Sequence, residues 1–322
     1  VEGIVKDLDE ARELLPSSYA ERPNNWGRAS RTIALALRGR VLLYYASPLY
    51  NKDNDQGRWT RAAEACKAAL DTALSNGYTL NGNYSEIFTQ YFNREVIWSR
   101  PAPGAYRDGG IDQEMNPRGA NGYGNVNPVQ ELVDDYEMKT TGLPITDPAS
   151  GYNPQRPYDN RDPRFYATIL YPGCMWKGRT LDPNGADAPR SGQLSTGYWP
   201  RKYLLEAVNL FANTGATDRK WVLIRTAELY LNYAEAQNEA TGPSAAVYDA
   251  LNAVRTRAGM PAYNGGGKEA LRAKIRHERS IELALEAHRF WDVRRWKIAE
   301  IVDNGDVHGV TVTGNGNVTY TY

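Results

Sequence analysis

Apolar residues recur at three- and four-residue steps through six stretches of this 322-residue chain, and each stretch predicts a helix. In residues 1–15 the face is Ile4, Leu8, Ala11 and Leu15, and Pro16 ends the run. Residues 31–46 are apolar on nearly every side, with Ile33, Leu37, Val41 and Tyr44 opposite Leu35, Leu42 and Leu43, so this helix should be packed between neighbours. The segment SPLYN (47–51) breaks it. Residues 59–74 then carry Ala62, Ala63, Ala65, Ala68, Ala69 and Ala73, small side chains that let helices approach closely. The two helices make a pair of the size expected for a tetratricopeptide-like repeat. Residues 221–239 and 245–258, joined through Gly242-Pro243, predict a second pair. On it would pack a long amphipathic helix over 268–298, interrupted once near its arginine cluster.

The polar positions of that last stretch also have a pattern. Arg279, Glu282, Glu286, Arg289, Asp292 and Arg295 follow one another at three- and four-residue steps with alternating sign. They can pair along one ridge, with each other or with a facing helix. Trp291 and Trp296 flank the ridge, where guanidinium groups stack well. A structural ion ladder is the simpler reading, ahead of catalysis by these carboxylates.

Between the helix pairs the texture changes. Residues 101–200 hold 13 of the 18 prolines and 13 of the 29 glycines, which punctuate the chain too often for long helices. Short helical patches are predicted at 129–136 and 203–208, and short strands at EVIWS (95–99) and FYATIL (165–170). The tyrosines and tryptophans in this segment argue for an ordered loop region laid on the helices. The resulting fold class is mainly α, with tetratricopeptide-like helix pairs and a large loop-rich subdomain containing short strands. It divides into a helical part over 1–100, the loop-rich region over 101–215, C-terminal helices over 216–300, and an irregular tail over 301–322.

Charge is balanced, 38 basic against 38 acidic residues, leaving no footprint for nucleic acid. No apolar run reaches the roughly 20 residues that span a bilayer. Cys66 and Cys174 could form one disulfide, but they are far apart in sequence and read sooner as two unpaired or buried thiols. The three histidines (His277, His288, His308) do not form a zinc-hydrolase pattern, because HERSI (277–281) has Ile281 where the second histidine would stand. No phosphate-binding loop or G-x-S-x-G elbow is present. Carboxylate pairs of the glycosidase kind are available in the loop region as Asp134 with Asp135, Asp159 with Asp162, and Asp112 with Glu114. For the RDPRF stretch a structural role is simpler: Asp162 anchors a turn before Pro163, and Arg161 and Arg164 pair with acidic helix residues.

The segment IRHERSIELALEAHRFWDVRRW resembles the signature helix of the SusD/RagB family, the surface glycan-binding lipoproteins of Bacteroidetes. RTAELYLNYAEAQNEA (225–240) is similar to the preceding family helix, and LNAVRTRAGMP (251–261) to the helix and Gly-Met-Pro stop after it. NPVQELVDDYEMKTTGLPI (127–145), NRDPRFYATIL (160–170) and TGYWPRKY (196–203) match the family's middle region, in the family's order. The resemblance implies a protein on the outer surface of the outer membrane, held by a lipid anchor missing from this chain. Such a protein captures an oligosaccharide and passes it to a partner TonB-dependent transporter of the SusC type, without covalent chemistry. A peptide-binding relative of the RagB kind is the alternative, and a glycan-active enzyme a more distant one. Family members are longer, so both ends of the chain are expected to be trimmed. No cofactor is implied, with a structural calcium ion left open.

Sugar recognition needs flat aromatic faces beside amides and charged groups, held rigidly at the surface. The composition suits this: 22 Tyr and 8 Trp stand against 5 Phe. The stretch PAPGAYRDGGIDQEMNPRGANGYGN (101–125) supplies Tyr106, Arg107, Asp108, Asp112, Asn116, Arg118, Asn121 and Tyr123 in a glycine-rich frame. A second patch, CMWKGRTLD (174–182), supplies Trp176, Lys177 and Arg179. Tyr106, Arg107, Asp108, Asn121, Tyr123 and Trp176 are the candidate ligand-binding residues. Trp199 reads as a packing residue of the family framework.

Overall fold

A computed structural model describes residues 1–19, 25, 27–102, 110–215, 219–313 and 319–321. Helix α1 (Glu2–Leu14) buries Val5 and lies on α2 (Arg31–Ala46). Arg38 pairs with Asp9 at 2.9 Å and fixes that contact. Ser30 caps α2 by accepting from the Ile33 amide, and α2 buries residues on nearly all sides. Asp55 caps α3 (Gln56–Ser75), accepting from the Gly57 amide at 2.8 Å. The alanine stripe of α3 is buried between two neighbours, α2 and α4 (Thr226–Thr241). At Gly39 a side chain would press on the Cys66 backbone at 3.4 Å, so glycine permits the close α2–α3 approach. Helix α5 (Ala245–Arg257) and helix α6 (Lys268–Glu282) then pack on α4. The two predicted helix pairs therefore share one apolar core, running from Val5 through Leu43, Ala69 and Ala234 to Leu271 and Leu283.

Three local predictions are corrected. The expected helix over 221–239 begins as a strand: Arg219–Arg225 (β2) pairs antiparallel with Val96–Ala102 (β1), and the helix starts only at Thr226. FYATIL is not a strand but the end of a short helix, Pro163–Thr168, followed by two strand residues. Asp162 accepts from the Arg164 amide at 2.9 Å and Pro163 occupies the first turn, a helix start that outweighs β propensity. Residues 203–208 form turns rather than a helix.

The long C-terminal helix is interrupted, as expected, after Glu282. Leu285 and Ala287 take left-handed backbone angles, and the chain resumes as α7 (Arg289–Arg295). Buried cations satisfy the carbonyls released at the break. Arg225 donates to the Glu282 carbonyl at 2.7 Å, and Lys202 to the Ala284 carbonyl at 2.7 Å. The ladder pairs mostly with partners distant in sequence. Glu278 and Glu282 receive Arg164, Arg225, Arg255 and Arg257, while Glu286 receives Lys202 and Arg225. Arg279 and Arg295 both hold Asp292, and Arg295 also reaches Glu235 on α4. Trp296 is buried under Arg295, whereas Arg289 and Trp291 are exposed. Arg164 comes from the loop-rich region, so this buried network clamps that region to the helices.

The loop-rich region has two further cores of its own. Val133, Tyr136, Tyr158, Phe165 and Tyr198 gather around Ile281 of α6. Ala120, Leu170, Cys174, Trp176, Leu181, Trp199 and Leu204 form the other. Both cysteines are buried and unpaired. Arg161 deviates from its expected role: it donates to the carbonyls of Tyr136 and Pro157 at 2.8 Å each instead of meeting an acidic helix residue.

Candidate ligand-binding site

The floor of the candidate site is tryptophan. Trp176 lies in a two-residue strand paired with Arg179–Thr180, and only 1% of its surface is exposed. Its indole N–H donates to the Asn116 side-chain oxygen at 2.9 Å, and the Asn116 amide donates to the Asp112 carbonyl at 2.9 Å. Asp112 is buried against Arg219 of β2, whose guanidinium also holds the Tyr203 carbonyl. Trp176 therefore packs beneath the surface and offers no open ring face for a sugar.

On this floor sits the loop 116–125. Its backbone folds back on the preceding turn, with the Tyr123 amide donating to the Gln113 carbonyl at 2.7 Å and the Gly124 amide to the Asn116 carbonyl at 3.0 Å. A β-carbon at Gly122 would overlap the Asn116 carbonyl, so only glycine lets the loop close this tightly. Asn121 adopts a left-handed conformation that ends the turn Arg118–Ala120, and its amide donates to the Leu210 carbonyl at 3.2 Å. Tyr123, two residues on, is 36% exposed.

The loop borders two grooves. One, of about 470 Å³, is lined by Gly119, Lys177, Arg179, Glu206 and the segment 207–211. Lys177 is committed to its wall: the ammonium donates to the carbonyls of Leu205 and Glu206 at 3.1 Å each, and partial burial holds its pKa below the usual lysine range. Arg179 is committed too, gripping buried Asp187, a hydrogen bond that raises the guanidinium pKa further. The second groove, of about 710 Å³, is lined by Tyr123, Asn125, Arg190, Ser191, Gly192 and Gln193.

The structure thus brings Asn121 and Tyr123 together on one loop and puts Trp176 under it. Tyr106, Arg107 and Asp108 lie outside the described residues. Arg190 and Gln193 escaped the sequence reading because SGQ and APR stretches carry no aromatic signal. Of the candidate carboxylate pairs, Asp112 is held by Arg219 and Asp162 by Arg164 at 2.7 Å, both buried ion pairs. Asp134 binds Gln130 at 2.7 Å, and burial raises its pKa.

The family model of the SusD family matches residues 88–322. The chain belongs to the SusD family. The SusD-like protein P25 of Formosa agariphila is 24% identical over 319 residues, covering 92% of this chain and 54% of that protein. A SusD-like protein from Bacteroides fragilis of known structure is 31% identical, with a TM-score of 0.77, covering 98% of this chain and 63% of that one. A SusD-like carbohydrate-binding protein from the same species is 29% identical, with a TM-score of 0.77, over 95% of this chain and 59% of that one. The chain therefore spans between half and two thirds of the length of these relatives. The SusD-like family is one of carbohydrate-binding proteins associated with the Bacteroidetes cell surface. No described helix is long and apolar enough to cross a membrane.

Proposed function

We propose that this SusD-like chain belongs to a protein that captures an oligosaccharide or polysaccharide at the cell surface on the loop face around Asn121 and Tyr123. The bound glycan is handed to a SusC-type TonB-dependent transporter without covalent change, and a lipid anchor holds the protein to the outer membrane. The observation that carries this reading, beyond family membership, is Tyr123. Its ring is partly exposed on a backbone held by hydrogen bonds and lines one groove with the amides of Asn125 and Gln193, the combination a sugar ring requires. Backbone hydrogen bonds within the loop and the buried Asp112–Arg219 pair beneath it hold this face in place, which limits the ordering cost of binding.

The test is retardation of the protein in native gels cast with a panel of polysaccharides, repeated with Tyr123→Ala and Asn121→Ala. One polymer should retard the parent chain, and Tyr123→Ala should abolish the shift. The polymer should leave the assay unshortened, in keeping with binding alone. Retardation by none of the panel, with saturable binding of peptides instead, would replace glycan with peptide capture.

A further inference from the structure

We infer that the groove beside Tyr123 is built for an acidic sugar residue, one bearing a carboxylate or a sulfate ester. This rests on the glycan-binding reading above and specifies its ligand class. The groove has a cation and no carboxylate among its lining residues, Tyr123, Asn125, Arg190, Ser191, Gly192 and Gln193. The guanidinium carbon of Arg190 lies 6.0 Å from the centre of the Tyr123 ring, so ring and cation fall within the span of one monosaccharide. Among the described residues Arg190 makes no ion pair, and its charge remains available.

The neighbouring charges strengthen the argument. Arg179 is spent on buried Asp187. Arg118, exposed on the same loop as Tyr123, donates to the Ala188 carbonyl at 2.9 Å and has no carboxylate partner among the described residues. Glu114, an acid on the same stretch of chain, is turned to the Asn125 amide at 2.7 Å. Asn125 in turn accepts from the Gln193 amide at 3.0 Å, and the Gln193 oxygen accepts from the Arg190 backbone N–H at 3.4 Å. This relay fixes the segment 190–193 against the Tyr123 loop and turns Glu114 toward Asn125 rather than toward Arg190. Arg118 and Arg190 are thus two guanidinium groups beside the Tyr123 loop with no carboxylate partner among the described residues. Guanidinium binds carboxylate and sulfate through paired, charge-assisted hydrogen bonds, while the tyrosine ring takes the apolar face of the same sugar.

The experiment measures affinity of the full chain for polygalacturonate, for the same polymer after carboxyl reduction, for a sulfated galactan, and for a panel of neutral glycans. Tight binding to polygalacturonate or the sulfated galactan is expected, the two arms separating carboxylate from sulfate. Carboxyl reduction should remove polygalacturonate binding. Arg190→Gln should weaken acidic-glycan binding about tenfold, and Arg190→Lys should weaken it less. Arg190 is exposed, so neither variant should disturb folding. Equal binding of acidic and neutral polymers, binding of neutral glycans alone, or indifference to Arg190→Gln overturns the inference and leaves glycan capture standing. Failure to bind any polysaccharide overturns the glycan reading itself, and the inference falls with it.

Discussion

Arg164, from the loop-rich region, donates to Glu282 at the end of α6 at 2.9 Å, and both side chains are shut off from water. Glu282 also receives Arg225 at 2.5 Å and Arg257, and Arg164 also reaches Glu278 and Asp162. Burial raises the Glu282 pKa, but Arg257, Arg225 and Arg164 together outweigh it and hold the carboxyl well below its usual range. A buried charge with several partners adds little over an apolar core, yet removing one member strands the others.

Arg164→Ala should therefore destabilise the protein by about 3–5 kcal/mol, because Glu278 and Glu282 lose a shared cation in a dry site. Arg289→Ala, on the same signature stretch but exposed, should stay within about 0.5 kcal/mol of the parent. Urea unfolding of both variants checks this. Similar losses in the two would mean that the network does not clamp the loop region.

Much of this was legible in advance, and the limits were physical. Periodicity locates α2, which is buried on nearly all sides, and α3, whose alanine stripe is the buried face, so pattern and burial coincide. The alternating charges from Arg279 to Arg295 announce an ion ladder, but not its partners: Arg225 and Arg164 lie 57 and 118 residues from Glu282 in sequence. Pairing over such distances is a tertiary property with no local mark. WVLIR (221–225) reads as part of the helix after it because its strand partner, Val96–Ala102, lies more than a hundred residues earlier. At the site, Trp176 and Tyr123 look alike in sequence, each an aromatic among glycines and basic residues. What separates them is the Asn116 contact and the two-residue strand, neither visible without the fold.

Two buried lysines set an unusual alkaline response. Burial lowers the Lys202 pKa to about 8 against the pull of Glu286, and burial alone lowers that of Lys220 to about 7. Their unfolded values are near 10.5. From about pH 7 to 8.5 these lysines leave more protons on the unfolded chain than on the folded one, and stability rises with pH, by at most about 1.4 kcal/mol per pH unit for each lysine. Above about pH 9 the trend should reverse, because burial raises the pKa values of the Cys66 and Cys174 thiols and of Tyr84 and Tyr203, which the unfolded chain deprotonates first. Urea midpoints should climb from pH 7 to about 8.5, and Lys220→Met should remove the first part of the climb. A flat or falling profile from pH 7 to 8 would show that these ammonium groups are better solvated than their surroundings indicate.

Gly122 and Gly119 both sit in crowded places on the site loop, but the crowding differs in kind. At Gly122 a methyl would meet the backbone carbonyl of Asn116, which is held by the loop itself. At Gly119 it would meet the Arg179 guanidinium, the far end of a flexible side chain, and the Asp187 carboxylate. Gly122→Ala should cost about 1–3 kcal/mol and displace Tyr123, whereas Gly119→Ala should cost less. Unfolding measurements combined with glycan retention rank the two. The reverse order would mean that the Arg179–Asp187 pair, rather than the backbone, sets the loop.

Trp176 and Tyr123 should separate folding from recognition. Trp176→Ala empties the centre of the core under the loop and should cost about 3–5 kcal/mol, and Trp176→Phe, which keeps most of the volume but strands Asn116, about 1–3 kcal/mol. Any loss of glycan binding in these variants should scale with the loss of stability. Tyr123→Ala removes a partly exposed ring whose backbone hydrogen bonds remain, so stability should stay within about 0.5 kcal/mol while binding disappears. Plotting binding against unfolding free energy for the three variants tests the assignment. Tyr123→Ala must fall far off the line that the tryptophan variants define. If Trp176→Phe instead loses binding with its stability intact, the indole edge reaches the ligand, and the recognition surface extends below the loop.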